Sequence, residues 1–254
     1  MAVAFRFPGR AIDLESRLSE LAAIGQDHIR PLGSDAGVGA TGETAADRIA
    51  SLDAVRDCRE IALLLSSREF SWDIERALEF ALFRTYAVPS ISGLLTKTGE
   101  FEHRPRKRYD DTELILAEIM ESGFDSDRGR RALARMNDMH GRFRIADSDL
   151  LYVLSTFVFE PIRWLQRYGR RPMTAHEQLA WFNYYRGLGE RMKIAGIPED
   201  LDDFRRFNER YEADNFRFAE SNKTVATATS DLLLGFYLPS CLLWAGRTPR
   251  PSGR

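Results

Sequence analysis

The stretch Leu150-Leu-Tyr-Val-Leu-Ser-Thr-Phe-Val-Phe159 is the strongest signal of architecture in this chain. It lies inside a segment from Asp147 to Tyr168 that we predict to be one long apolar helix. Pro161 interrupts the segment, and because proline lacks a backbone N–H group we expect a kink near Phe157. Such a helix needs other elements to cover it, so the segment indicates helical packing around a buried core.

Helix start and stop signals recur on both sides of this segment. Ser71 and Ser126 can each cap a helix, and Gly141 can end the second one. Capping-box patterns occur at Asp110-Asp-Thr-Glu113 and Thr174-Ala-His-Glu177. Further helical patterns cover residues 90–97, 201–218 and 222–243. We find no alternating strand pattern and no internal repeat, so the sequence predicts a single all-α domain of about eight helices.

The two ends of the chain differ in character from the middle. Residues 1–50 have the composition of a variable leader, with a short helix expected over 13–24 and a glycine-rich linker over 33–44. Residues 51–245 form the predicted helical domain. Residues 246–254 are expected to be a flexible tail.

Composition limits the classes of function. The chain has 254 residues, of which 44% are hydrophobic and 29% charged, as in soluble globular proteins. A net charge of -2 argues against nucleic acid as the main partner. The basic cluster His103-Arg-Pro-Arg-Lys-Arg108 is expected to be a solvated loop before a helix. The only cysteines, Cys58 and Cys241, suit a reducing compartment and exclude a cysteine cage for zinc or iron–sulfur.

No segment has the pattern of a signal peptide or a membrane span. The stretch Leu232 to Trp244 is the most apolar, but it is too short and contains Pro239. We therefore expect a cytoplasmic protein with no transmembrane segment and leave peripheral contact with a membrane open.

The segment Arg135-Met-Asn-Asp-Met-His-Gly-Arg-Phe-Arg144 carries the main candidate functional residue. Leu133, Met136 and His140 are spaced i, i+3 and i+7, so the imidazole should face the same interior as two hydrophobic side chains. Spacing alone favours a core histidine that is hydrogen-bonded to a backbone carbonyl. An inward histidine can also bind the iron of a haem.

The sequence lacks the motifs of several other kinds of catalytic site. The chain contains neither His-Glu-x-x-His for a zinc protease nor Gly-x-Ser-x-Gly for a serine hydrolase. Its one Glu-x-x-His pair, Glu100-Phe-Glu-His103, follows Gly99 in an expected loop and does not suit a di-iron site. A haem needs an axial ligand, an apolar slot and cations for its propionates. His140 could supply the axial ligand, and Arg144 or Arg108 could bind a propionate.

Several runs together resemble a known family. They are Trp72-Asp-Ile-Glu-Arg-Ala-Leu-Glu-Phe-Ala-Leu-Phe-Arg-Thr-Tyr86-Ala-Val-Pro-Ser-Ile-Ser92, Arg108-Tyr-Asp-Asp-Thr112, the run ending at Arg144, Phe157-Val-Phe-Glu-Pro-Ile-Arg-Trp164 and Tyr168-Gly-Arg-Arg-Pro172. In order and spacing they resemble the family of the mycophenolic-acid pathway oxygenase and the rubber (latex-clearing) oxygenases. The likeness spans residues 60–240 or so.

The resemblance implies a globin-like helical fold that holds haem b, with dioxygen as co-substrate. Its better-known members cleave carbon–carbon double bonds in isoprenoid chains, so a hydrophobic small molecule is the expected substrate. His140 matches the family's proximal iron ligand, and Arg144 matches the arginine four residues later. Arg108 and Thr112 match the Arg-x-x-x-Thr pair beside the haem.

The chain departs from the family pattern at three positions. Many relatives carry histidine at the places of Val88 and Leu154, and the rubber enzymes carry lysine where Asp111 stands. The distal base cannot be assigned by motif, so the catalytic residues stay unknown. Cleavage, hydroxylation and peroxide-driven oxidation all remain open. A haem-free helical binding or scaffold protein, or a haem sensor, would keep the same fold.

Overall fold

The structure, a computed structural model, describes residues 44–237 apart from the side chains of Glu102 and Tyr237. All regular structure within that range is helical, which confirms the all-α prediction. The helices are α1 (Ala45–Ser51), α2 (Cys58–Leu64), α3 (Ser71–Thr85), α4 (Pro89–Thr98), α5 (Glu100–His103), α6 (Pro105–Ser122), α7 (Asp127–Gly141), α8 (Asp147–Tyr168), α9 (Ala175–Arg191), α10 (Leu201–Asn215) and α11 (Glu220–Tyr237), with a π-helical turn at Leu65–Glu69 between α2 and α3. The helix expected over 13–24, the linker before residue 44 and the tail after 245 lie outside the described residues.

Helix α8 is the centre of the packing, as its apolar sequence predicts. It packs against α3, α9 and α10, and Tyr152, Val158 and Leu165 on it are fully buried. Pro161 provides no N–H for the carbonyl of Phe157, four residues earlier. The buried indole Nε1 of Trp181 on α9 donates to that carbonyl at 3.1 Å. A tertiary contact therefore satisfies the group that proline leaves unpaired.

Two of the predicted caps are confirmed. The Ser126 hydroxyl accepts from the backbone N–H of Gly129 at 2.9 Å, and α7 runs from there to Gly141. The Thr174 hydroxyl accepts from the N–H of Glu177, whose carboxylate accepts from the N–H of Thr174. These two local signals correctly place the starts of α7 and α9.

Two other predicted starts are wrong. Ser71 is the first residue of α3 and does not cap it, because Phe70 occupies the cap position without a side-chain hydrogen bond. The pattern Asp110–Glu113 lies inside α6, which begins at Pro105. Proline fixes φ at a helical value and suits the first turn, so it starts the helix earlier. The loop expected over His103–Arg108 is therefore helical from Pro105 onward.

Helix α1 was not predicted. Thr44 and Asp47 form a capping box, in which the Thr44 hydroxyl accepts from the N–H of Asp47 at 3.1 Å. Ile49 on this helix is 2% exposed and belongs to the main hydrophobic core. The chain therefore joins the core within the stretch that we assigned to the leader.

Candidate functional site

A cavity of about 140 Å³ lies at the end of α7 and contains three of the four candidate residues on its walls. His140 reaches it from the last turn of α7, and Arg108 and Thr112 reach it from α6. We call it the histidine chamber. Its other lining residues are apolar except for one tyrosine: Leu82, Ile115, Leu116, Met136, Met139, Leu150, Val153, Leu154, Phe157, Tyr185, Leu188, Met192 and Ile194.

His140 faces inward as its spacing predicts. Leu133 and Met136 on the same face of α7 are each 6% exposed. Neither imidazole nitrogen forms a hydrogen bond with any described residue, and Nδ1 is fully buried. The backbone carbonyl of Met136, one turn earlier, acts on the ring as a weak acceptor without forming a regular hydrogen bond. The hydrogen bond to a backbone carbonyl that the spacing favours is therefore present only as this weak contact.

The electrostatic environment keeps His140 neutral. Burial lowers the pKa of the imidazole, and the positive charge of Arg108 lowers it further, while the Met136 carbonyl opposes the shift. A neutral imidazole has a free lone pair, which is the form that binds a metal.

Arg108 is a buried guanidinium without a carboxylate partner among the described residues. Its Nη1 donates to the Thr112 hydroxyl one turn later on α6, and the group stacks 5.7 Å from the centre of the Phe101 ring. Burial lowers the pKa of Arg108, although the charges of Tyr86, Asp111 and Glu100 oppose this. A buried cation is costly unless an anion pairs with it, so this position favours an anionic ligand group.

Arg144 is not part of the chamber. It follows the end of α7, is exposed and lines neither cavity described here. The structure therefore groups His140, Arg108 and Thr112, and it leaves Arg144 apart.

The three positions that depart from the family pattern have ordinary structural roles. Leu154 is 4% exposed and lines the histidine chamber. Val88 is 1% exposed and packs with Tyr152 in a separate small cluster. Asp111 forms an ion pair with Lys107 one turn earlier on α6. At Leu154 an alkyl group therefore lines the chamber.

A second cavity of about 120 Å³ adjoins the histidine chamber. The two share a wall made of Leu82, Arg108, Thr112, Leu116, Phe157, Tyr185 and Leu188. Because Glu75, Glu79 and Glu113 line only this second cavity, we call it the carboxyl chamber. Sequence analysis missed these three residues. Glu75 and Glu79 share a helical face with Leu78 and Leu82, which was the available signal.

The carboxyl groups are held in unusual protonation states. Arg76 forms ion pairs with Glu75 at 2.6 Å and with Glu79 at 2.8 Å, and the Tyr109 hydroxyl donates to Glu79 at 3.0 Å. Burial nevertheless raises the pKa of Glu79 to about 7. Burial, together with nearby negative charges, raises the pKa of Glu113 to about 8. At neutral pH, Glu113 is therefore mainly a neutral carboxylic acid.

Fold and site together define an all-α protein in which, among the described residues, one apolar chamber holds an imidazole without a hydrogen-bond partner and a guanidinium without a carboxylate partner. The family model described as "ER-bound oxygenase mpaB/B'/Rubber oxygenase, catalytic domain" matches residues 81–252. The chain belongs to this family, which confirms the resemblance found in the sequence.

Individual relatives agree with this assignment. The chain is 35% identical over 146 residues to "ER-bound oxygenase mpaB" of Penicillium roqueforti (strain FM164), a match that covers 54% of this chain and 49% of that protein. It is 35% identical over 138 residues to "ER-bound oxygenase mpaB" and to "ER-bound oxygenase mpaB'" of Penicillium brevicompactum, covering 52% of this chain and 35% and 32% of those proteins. The chain thus spans about half of one relative and about a third of the others.

Two further observations concern metals and membranes. Within residues 44–237 no three His, Cys, Asp or Glu side chains are grouped so that they could hold a metal ion. In the same part of the chain, no helix is both long and apolar enough to cross a bilayer.

Proposed function

We propose that this chain is a haem-b-dependent oxygenase that acts on an apolar small molecule with dioxygen. The observation that carries the proposal is the pairing, in one apolar chamber, of a His140 imidazole without a hydrogen-bond partner and an Arg108 guanidinium without a carboxylate partner among the described residues. Haem b offers the complement of both, because its iron needs an axial nitrogen and its propionates need a cation. A porphyrin is larger than a cavity of about 140 Å³, so the helices that line the chamber would have to separate to admit it. The family match and the relatives named oxygenases support the same conclusion.

Each candidate residue has a distinct proposed role. His140 would hold the iron through an imidazole nitrogen, and its lowered pKa keeps that nitrogen unprotonated. Arg108 would bind a propionate, and Thr112 would orient Arg108 through the hydrogen bond between them. Arg144 is a candidate for the second propionate only if its exposed side chain turns toward the cofactor. When bound, haem b supplies the capacity to activate dioxygen.

The walls of the chamber set the chemistry of the substrate. Leu154, Phe157 and Leu188 exclude water, which disfavours charged molecules and limits side reactions of reduced oxygen species. A hydrophobic alkene, of the isoprenoid type that the family resemblance indicates, would suit such walls. Oxidative cleavage of its double bond to two carbonyl groups, or a related oxidation, is the proposed reaction. The cytoplasm is the proposed location.

Haem titration of matched variants tests the assignment of the cofactor site. Arg108→Leu should weaken haem binding tenfold to a hundredfold, because a hydrogen bond to a charged group is worth about 1.5–3 kcal/mol. Arg210→Leu is the matched control and should change the affinity much less, because its side chain is exposed and lines neither cavity. Equal affinities of the Arg108 variant and the wild type would contradict the proposed site.

Turnover of the loaded protein tests the reaction. Haem-loaded wild type, given a reductant and a short isoprenoid alkene, should consume oxygen and release carbonyl products that mass spectrometry detects. Haem binding without oxygen uptake across a series of apolar alkenes would favour a sensor or carrier over an oxygenase.

A further inference from the structure

The carboxyl chamber has a polar side that the proposed haem site does not use. Most of its wall is alkyl and aromatic, and Glu113 lines it from α6. Neither carboxyl oxygen of Glu113 forms a hydrogen bond with a described residue, and Oε2 is fully buried. An unpaired buried polar group costs about 1–3 kcal/mol, so it needs a partner that the described protein does not supply.

Two of the neighbouring cations are already engaged elsewhere. Arg106 acts on Glu113 electrostatically, but its Nε donates to both carboxylate oxygens of Asp110, at 2.8 and 2.9 Å. Arg76 forms ion pairs with Glu75 and Glu79, its neighbours on α3. Glu113 is therefore left as an uncharged acid, and a protonated carboxyl group is a hydrogen-bond donor.

We propose that the carboxyl chamber binds the apolar substrate by an oxygen-bearing end, with Glu113 donating a hydrogen bond to a carbonyl or hydroxyl oxygen of that molecule. This inference rests on the proposed oxygenase function and adds a substrate class to it. The substrate is a hydrophobic molecule with one terminal acceptor oxygen, and Glu113 is a specificity-determining residue.

The composition of the chamber favours an acceptor oxygen over an ammonium group. Arg108 lines the same chamber without a carboxylate partner, and the two carboxyl groups that α3 contributes are already paired with Arg76, so a second cation there would meet like charge. A pure hydrocarbon would leave the Glu113 donor unpaired. Arg108 and Glu113 are five residues apart on α6, or about 7.5 Å along its axis. A molecule anchored at Glu113 therefore needs an apolar body of about that length to reach the level of Arg108.

Ligand titration with small probes tests the inference in the full chain. A cavity of about 150 Å³ binds benzene, so six-membered rings are suitable probes for a chamber of this size. Dissociation constants for cyclohexanone and cyclohexylammonium would be measured by NMR titration at pH 6.5. We expect saturable binding of cyclohexanone and at least tenfold weaker binding of cyclohexylammonium. Tighter binding of the ammonium probe, or no saturable binding of cyclohexanone, would overturn the inference.

Two variants of Glu113 distinguish a hydrogen bond donated to the ligand from packing against it. Glu113→Leu should weaken cyclohexanone binding about tenfold, whereas Glu113→Gln keeps an N–H donor and should stay within twofold of the wild type. A Leu variant that binds cyclohexanone as well as the wild type overturns the inference. If both variants lose cyclohexanone binding equally, a hydrogen bond donated by residue 113 is also ruled out.

The pH dependence gives a further readout. Above pH 8 the wild type should lose affinity as Glu113 ionises, and the Gln variant should not. The other groups that act in this region are common to both proteins: Glu75, Glu79 and Arg76 on α3, and Arg106, Tyr109, Asp110 and Glu121 on α6. Helix α11 contributes Thr229 and Leu232 to the lining. Identical profiles for the two proteins would contradict the role of Glu113.

The outcome for haem is recorded separately in each variant. A normal haem spectrum together with no preference for cyclohexanone overturns this inference and leaves the haem site standing. Conversely, a wild type that binds no haem but binds cyclohexanone through Glu113 overturns the proposed cofactor and retains the ligand class.

Discussion

Replacing Glu113 with glutamine should change how the stability of the protein depends on pH. Glutamine has nearly the shape of the protonated acid, so the two proteins should differ little in packing. The pKa of Glu113 is about 8 in the folded chain, against a reference value of 4.5. The unfolded chain therefore releases this proton more readily, and the wild type should lose stability as pH rises from 4.5 through 8. The loss approaches about 1.4 kcal/mol per pH unit, which gives about 2 kcal/mol between pH 6 and pH 8.

Urea unfolding at pH 6, 7 and 8 measures this effect. The free energy of unfolding of the wild type should fall relative to Glu113→Gln by that amount, with an unchanged dependence on urea concentration. Glu79 titrates near the same pH in both proteins, so the difference between them reports mainly on Glu113. Glu209→Gln is the control, because Glu209 is exposed, and it should run parallel to the wild type. Parallel curves for Glu113→Gln as well would refute the argument that this carboxyl is buried and unpaired.

Two further substitutions test how the site is supported. Gly129→Ala should destabilise the protein by about 1–3 kcal/mol, because a Cβ atom there would lie 1.8 Å from the Gly123 carbonyl oxygen. Gly141→Ala on the same helix has no neighbour within 4 Å, and thermal unfolding should show little loss; equal effects of the two would contradict the structure. Trp181→Phe removes the donor to the Phe157 carbonyl and should cost about 1–3 kcal/mol in urea unfolding, a loss that would be absent if water replaced the indole N–H.

The fold could be predicted where local signals dominate. The bounds of α8 follow from its apolar run, and the start of α7 follows from Ser126. The start of α6 could not be placed, because Asp110–Glu113 has the pattern of a capping box yet lies inside a helix that Pro105 begins. Local patterns compete with one another, and tertiary packing decides between them.

The candidate site was predictable only in part. His140 shares a helical face with apolar residues, so its inward direction was visible in the spacing. Arg108 lies in the same chamber as His140 because α6 and α7 pack together. This is a tertiary contact, and only the family resemblance indicated it from the sequence. Arg144 follows His140 by four residues, a spacing that would place both side chains on one face of a continuing helix. The helix ends at Gly141, however, and the arginine is exposed. The carboxyl chamber lies between α3 and α6, which meet through the hydrogen bond from Tyr109 to Glu79, and no single stretch of sequence encodes that arrangement.

The absorption spectrum of the purified chain titrated with haem b tests the central claim most directly. We expect a saturable Soret band in the wild type and its loss in His140→Ala, with circular dichroism showing that the variant remains helical. A band that persists unchanged in His140→Ala, or a wild type that binds no haem, would contradict the assignment of His140 as the iron ligand.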